Sequence, residues 1–291
     1  MEASKILRLA FMMTLLTAVF VFIGYVIGLL IGYPEFVTLG ALAVAALLNI
    51  ISYFFADKIV LKMSHAKLVS ASDQPTLYRI VSSLAAADYL PTPKIAIIQS
   101  KVPNAFATGR GPNNSVVAVT TGLMGLVNED ELEGVLSHEL SHVKHRDVLI
   151  ASVVATIAGA ISYLALIGRF GGMYASSDSR NNNAGIFAIV LSFLAPFAAL
   201  LIQTAISRSR EYEADRGGAL LCRKPLALAS ALEKIERSVK GGSTLNVNPS
   251  TSSLWIVNPF RGDTIIELFS THPSTWKRIE RLKAMVATGM A

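Results

Sequence analysis

Two histidines four residues apart, with a glutamate directly after the first, form the pattern H-E-x-x-H at His138, Glu139 and His142. Residues at this spacing share one face of a helix, so both imidazoles can reach one metal ion. Zinc lowers the pKa of a water that it binds toward about 7, and a neighbouring carboxylate can then take the proton. The pattern therefore predicts zinc-dependent hydrolysis, with His138 and His142 as ligands and Glu139 as the base.

A catalytic zinc site needs a third protein ligand and an open position. The nearby His145 lies well round the helix from His138, so we interpret it as a solvated or interfacial histidine. The later segment SRSREYEADRGG offers Glu211, with Asp215 one helical turn on and Glu213 pointing away as a surface acid. A carboxylate placed like Asp215 can accept the N–H of a zinc-bound histidine. The alternative is that this stretch is only the charged flank of the preceding apolar segment. That accounts for the arginines here but not for the acids.

The composition indicates that part of the chain lies in lipid. Apolar residues make up 52% of the 291 residues and charged residues 16%, whereas a soluble domain carries about 25% charged residues. Four apolar segments have the length of about 20 residues that a helix needs to cross the hydrocarbon; they run over about 9–32, 36–55, 148–168 and 185–206. The last two contain polar residues, among them Gln203, and Pro196 interrupts the fourth. A buried helical hairpin inside a soluble domain is therefore the alternative for these two.

The basic residues are spread along the chain, and many flank the apolar segments. The net charge is +6, and we interpret it as orienting the chain in a lipid bilayer rather than as a nucleic-acid site. Only Arg169 and Arg180 fall on the side opposite to the other basic residues, which places both termini and all soluble parts in the cytoplasm. The single cysteine, Cys222, excludes an internal disulfide framework and a Cys-based zinc site.

The soluble material falls into two blocks that emerge on the same side and can pack together. KIAIIQS and NSVVAVTTG have the pattern of strands, while helices are predicted in SDQPTLYRIVSSLAAADYL, from Asn128 onward, in PLALASALEKIERSVKG and in HPSTWKRIERLKAMV. The predicted fold is mainly α-helical with a small sheet. Its parts are an N-terminal pair of spans (1–55), the first half of a cytoplasmic domain (56–147), a transmembrane hairpin (148–206) and the second half (207–291).

Four stretches taken together, NAFATG, SHELSHVKHRD, SRSREYEAD and STHPSTWKRIERL, resemble the membrane-bound zinc endopeptidases of the M48 family over nearly the whole chain. The resemblance implies four transmembrane helices, a gluzincin-like cytoplasmic α+β domain and one Zn²⁺ per chain. It also implies cleavage of misfolded or damaged membrane proteins, or other unfolded polypeptides, at the cytoplasmic face of the bacterial inner membrane during stress. Matched residue by residue, the zinc ligands are His138, His142 and Glu211, the base is Glu139, and Asp215 is the supporting acid.

The resemblance also implies roles for residues farther along the chain. His272 would reach back to the site and donate to the oxyanion of the tetrahedral intermediate, or it would merely cap a helix. Arg278 would pair with Asp215, or belong to a solvated basic helix. The residues Asn104, Ala105, Phe106 and Ala107 would bind peptide at a sheet edge, or form a buried strand.

Two other functions compete with a protease. A metal-dependent membrane chaperone or scaffold would bind unfolded segments without cleaving them, but binding alone needs no base such as Glu139. A processing enzyme for prenylated C-termini would need a lipid-holding chamber, which four spans make less favourable.

Overall fold

The computed structural model describes residues 2–175, 208–241, 254–257 and 273–289. Most of these residues are helical, and the sheet is small, as predicted. The helices are α1 (Glu2–Ile31), α2 (Pro34–Met63), α3 (Pro75–Ala87), α4 (Thr121–Leu126), α5 (Glu129–Lys144), α6 (Asp147–Ala175), α7 (Arg208–Cys222), α8 (Pro225–Lys240) and α9 (Thr275–Ala287). The strands are β1 (Lys67–Val69), β2 (Lys94–Ile98), β3 (Ala105–Gly111) and β4 (Asn114–Thr120).

The chain divides into two compact units, Met1–Phe55 with Ile157–Leu201 and Ala56–Thr156 with Ile202–Ala291. Two segments, Leu9–Leu29 and Pro34–Met63, are long and apolar enough to cross a membrane, judged by length and composition. Many of their apolar side chains are exposed, as lipid-facing side chains would be. These two segments correspond to the first two predicted spans.

The third predicted span coincides with most of α6, Asp147–Ala175. The first half of this helix is buried in the protein: Val148, Val153 and Ile157 are each 3% exposed or less. The alternative for this segment, a helix buried in the core of a soluble domain, predicts such burial in the first half of α6. The fourth predicted span, 185–206, lies outside the described residues. The count of four transmembrane helices therefore stays a prediction.

The four strands form one sheet in the order β1-β2-β4-β3. Strands β2 and β4 are parallel, whereas β1 pairs with β2 and β3 with β4 in antiparallel fashion. Strand β4 is buried from Ser115 to Thr120, as expected for a central strand covered on both faces. Strand β3 forms one edge of the sheet, and this edge lies beside α5.

Helix α5 begins where the sequence predicts. Asn128 caps it: its side chain accepts a hydrogen bond from the N–H of Glu131, and the Glu131 carboxylate accepts one from the N–H of Asn128. This capping box satisfies N–H groups that a helix start leaves without partners. Helix α5 ends at Lys144, and Arg146 has a φ of 58°. That left-handed residue interrupts the helical path, and α6 starts at once with Asp147.

Candidate metal centre

His138 and His142 lie one turn apart on α5, with their rings edge to face and their centroids 4.8 Å apart. His138 is 1% exposed and Glu211 is 1% exposed. Glu211 lies in the first turn of α7. Helix α7 thus brings the third predicted ligand to the histidine pair, at the buried base of the site.

Helix α7 approaches α5 closely because two glycines follow Asp215 and Arg216. A Cβ on Gly218 would lie 2.7 Å from the backbone nitrogen of His138. A Cβ on Gly217 would lie 2.6 Å from Oγ of Ser141. The glycines therefore permit the helix separation that places Glu211 beside the histidines. Sequence reasoning missed this role, although the Gly-Gly pair was the available signal.

The Nε2 atoms of both histidines face Glu211. His142 Nε2 lies 3.4 Å from Oε1, and His138 Nε2 lies 3.8 Å from Oε2. Two atoms that each lie about 2.0–2.1 Å from a tetrahedral zinc ion are about 3.4 Å apart. Two imidazoles and one carboxylate are also the donor set of a known class of catalytic zinc site. The three residues, whose ligand atoms all lie within 4.8 Å of one another, therefore fit a metal ion.

The Nδ1 atom of His138 lies 3.0 Å from Oδ1 of Asp215, as predicted for a supporting acid. Arg278 donates two hydrogen bonds to the same carboxylate, from Nε at 2.8 Å and from Nη2 at 2.7 Å. Burial opposes ionisation of Asp215, but the charge and hydrogen bonds of Arg278, with the bond to His138, hold its pKa below the ordinary value. An ionised Asp215 keeps the proton of His138 on Nδ1 and turns the Nε2 lone pair toward the metal position.

Asp147 supports His142 in the same way, and sequence reasoning did not assign it a role. Its Oδ2 lies 3.4 Å from Nδ1 of His142, and Arg210 donates to Oδ1 at 3.0 Å. The contact depends on the left-handed backbone at Arg146, which no periodic pattern in the sequence signals. Each histidine thus has one nitrogen toward Glu211 and the other toward a carboxylate from outside α5.

Glu139 lies beside the three ligands and is 5% exposed. The N–H of Ala107 on β3 donates a hydrogen bond to its Oε2 at 2.9 Å. Burial raises the pKa of Glu139 to about 7; the charge of Glu211 also raises it, while the charge of His142 and the Ala107 bond lower it. A carboxyl group with a pKa near neutrality suits a general base.

The carboxylates favour positive charge at this centre. Burial opposes a charged His142, yet hydrogen bonds to Asp147 and Glu211 and the charges of Glu211 and Glu139 raise its pKa to about 10. The pKa of His138 is lowered, chiefly by burial. A divalent cation between His142 and Glu211 would be stabilised by the same carboxylates. Its binding requires that the imidazole first lose its proton.

The segment from Asn104 to Ala107 lies at the sheet edge, as peptide binding requires, and it is also buried. Asn104, Ala105, Phe106 and Ala107 are each 5% exposed or less. The outward N–H groups of Ala107 and Gly109 bind Glu139 and Ser152. Both the edge position and the buried-strand alternative therefore have support, and the substrate role stays a prediction.

The remaining predicted residues are placed as follows. His272 lies outside the described residues. His145 donates a hydrogen bond from Nδ1 to the carbonyl of Ser141 at 2.8 Å and is not one of the clustered ligands. Glu213 is exposed, as predicted for a surface acid.

Comparisons with known proteins identify the family of this chain. Residues 71–286 match the family described as peptidase family M48. The chain is 49% identical to a protease HtpX homolog of Pyrococcus abyssi, covering 95% of this chain and 94% of that protein. It is 48% identical to a protease HtpX homolog of Methylibium petroleiphilum, covering 97% and 98%. Among solved structures, Ste24p of S. mikatae aligns with 84% of this chain and 56% of its own, at 22% identity and a TM-score of 0.41. The resemblance inferred from the motifs is confirmed: this chain belongs to peptidase family M48.

Proposed function

We propose that this protein is a membrane-anchored, zinc-dependent endopeptidase. The observation that carries the proposal is the convergence of His138 Nε2 and His142 Nε2 on Glu211, at 3.8 and 3.4 Å, with the Glu139 carboxylate beside them. Membership in a peptidase family supports the reaction type. The two apolar N-terminal helices support attachment to a membrane.

His138, His142 and Glu211 would hold the ion. When bound, Zn²⁺ supplies a Lewis acid that polarises the scissile carbonyl and makes water acidic. Glu139 takes a proton from the attacking water and delivers it to the leaving amine. The Ala107 N–H holds Oε2 of Glu139 at 2.9 Å, so the carboxylate is oriented before the substrate arrives.

Other side chains position these groups. Asp215, itself held by Arg278, orients His138, and Asp147, itself held by Arg210, orients His142. The peptide would lie along β3 between Asn104 and Ala107. His272 would donate a hydrogen bond to the oxyanion of the tetrahedral intermediate.

The substrates would be unfolded or damaged membrane-protein segments. The apolar helices hold the enzyme in the bilayer, and the basic residues that flank the apolar segments favour a cytoplasmic active site. The location would be the plasma membrane, which is the inner membrane in a bacterium with two membranes.

Cleavage of β-casein by the full chain purified in detergent tests the proposal. The protein as purified should cleave casein and contain close to one zinc per chain. Removing the metal with a chelator should abolish cleavage, and Zn²⁺ should restore it. Cleavage that persists without metal would overturn the metalloprotease assignment, and zinc-dependent casein binding without cleavage would favour the chaperone or scaffold.

A further inference from the structure

A short segment, Leu254–Ile256, forms one wall of the cleft beside the metal centre. Its main chain is held on both sides of Trp255. The amide of Asn104 donates from Nδ2 to the carbonyl of Leu254 at 3.5 Å and accepts at Oδ1 from the N–H of Ile256 at 3.2 Å. Arg278 donates from Nη1 to the carbonyl of Ile256 at 2.7 Å.

The neighbours of Trp255 are also anchored by packing. Leu254 is 5% exposed and packs in an apolar cluster that includes Phe106 and Ala151. Ile256 is 3% exposed and belongs to the main core beneath α5. Trp255 itself is only half-buried and lines the cleft with the metal ligands and Glu139. The hydrogen-bonded and packed neighbours thus present one large aromatic side chain to the space where a substrate would lie.

The other walls of this cleft are mostly apolar. Beyond the metal ligands and Glu139, it is lined by Phe106, Val148, Ala151, Leu254, Trp255 and Ile256. The charged pair Asp147 and Arg210 also reaches it, but these two side chains bind each other at 3.0 Å. Part of this cleft is open to solvent. A charged substrate side chain would lose its water here without gaining a hydrogen bond or an opposite charge in return.

We infer that Trp255 is a specificity-determining residue that packs against an apolar substrate side chain next to the scissile bond. The inference rests on the proposed peptidase function. The substrate class is peptide segments with an apolar residue beside the cleaved bond. Segments from membrane proteins or from the cores of unfolded proteins have this character.

Kinetic discrimination tests the inference. Two decapeptides that differ only in a central Leu-Leu or Asp-Asp pair are assayed with the full chain in detergent. Trp255→Ala should lower the ratio of kcat/KM for the Leu peptide over the Asp peptide by ~10-fold or more, since a hydrophobic pocket discriminates on this scale. Trp255→Phe should keep most of the ratio, and zinc content should not change in either variant.

Trp276 provides the matched control, since it is the other tryptophan of the chain and is 59% exposed on α9. Trp276→Ala should leave the ratio within about twofold of the unmodified protein. An unchanged ratio in Trp255→Ala, or an equal fall in both alanine variants, would overturn the role of Trp255.

A binding readout separates this inference from the proposed function. In Trp276→Phe, Trp255 is the remaining tryptophan, and Glu139→Gln in the same chain prevents turnover. The Leu peptide should shift the tryptophan emission to shorter wavelength, and the Asp peptide should not. If the unmodified protein cleaves neither casein nor the two peptides but the emission shift occurs, the peptidase assignment fails and the apolar binding site stands. If both peptides are cleaved with equal kcat/KM and neither shifts the emission, the inference about Trp255 fails and the peptidase assignment stands.

Discussion

The main-chain N–H of Ala107 donates a hydrogen bond to Oε2 of Glu139 at 2.9 Å. Ala107 lies opposite Val117 in the antiparallel pair of β3 and β4. The hydrogen bond from the N–H of Thr120 to the carbonyl of Asn104 sets the alternation, so the polar groups of Ala105 and Ala107 point away from β4. This hydrogen bond therefore fixes the position of the Glu139 carboxylate relative to the sheet edge that would bind a peptide.

Because α7 approaches α5 closely, we expect alanine substitutions at the two adjacent glycines to change zinc affinity by very different amounts. Gly218→Ala places a Cβ 2.7 Å from the His138 backbone nitrogen, so α7 must move away and carry Glu211 with it. Zinc affinity should fall by ~10-fold or more, which is the order of effect seen when ligand supports are lost. Zinc titration with a competing chelator measures the change.

Gly217→Ala is the matched control for that variant. Its Cβ would meet Oγ of Ser141 at 2.6 Å, a side-chain atom that can rotate aside. Zinc affinity should stay within about threefold of the unmodified protein. Equal losses in the two variants would contradict the claim that the backbone contact at His138 sets the helix separation.

Asp147→Asn should weaken metal binding through His142. The amide keeps the shape of the side chain but loses the charge that faces Nδ1 at 3.4 Å. Zinc affinity should fall ~10–100-fold, and the visible absorption of the Co²⁺-substituted protein should change because the imidazole donor changes. Asp130→Asn is the control, since Asp130 is 65% exposed at its side chain. A normal zinc affinity and an unchanged Co²⁺ spectrum in Asp147→Asn would rule out this positioning role.

Local patterns in the sequence were enough to predict the elements that carry the site. The spacing of His138 and His142, and the cap at Asn128, depend on neighbours within one or two helical turns. The supporting role of Asp147 was missed because it requires the left-handed turn at Arg146. The contact of Asn104 with Ile256 joins residues 152 positions apart, and local periodicity carries no information about such distant pairs. Similarly, apolar composition could not distinguish a lipid-exposed helix from the buried first half of α6.

Glu131 should stabilise the protein in a pH-dependent way. Burial favours its neutral form, but hydrogen bonds from Lys234, Ser230 and the Asn128 N–H outweigh burial and hold its pKa below the ordinary value. The stabilisation is therefore complete above the unfolded pKa of about 4.5 and is lost as the pH falls through the lower folded value.

Glu131→Gln should lower the free energy of unfolding at pH 7 by about 1–3 kcal/mol, seen as a fall in Tm in detergent. The difference from the unmodified protein should shrink below pH 4. Glu129→Gln serves as control because that side chain is 55% exposed, and its effect should be under about 0.5 kcal/mol. A Tm difference for Glu131→Gln that grows on acidification would contradict the sign of this argument.

The proposed orientation predicts which cysteines react from outside the cell. Glu35 is exposed at the start of α2, and Ser72 is exposed before α3. In a Cys222→Ala background, Glu35→Cys should react with a membrane-impermeant maleimide in intact cells. Ser72→Cys should react only after permeabilisation. The reverse pattern would place the metal centre on the outer face.

The most direct measurement compares zinc content and casein cleavage in Glu139→Gln and Glu211→Gln, with Glu213→Gln as an exposed control. Glu139→Gln keeps all three ligands, so it should retain close to one zinc per chain while cleavage falls ~10²–10⁴-fold, the usual contribution of a general base. Glu211→Gln replaces the anionic ligand and should lose both zinc and cleavage, while Glu213→Gln should change neither. Equal zinc loss in the Glu139 and Glu211 variants, or undiminished cleavage by Glu139→Gln, would contradict the account.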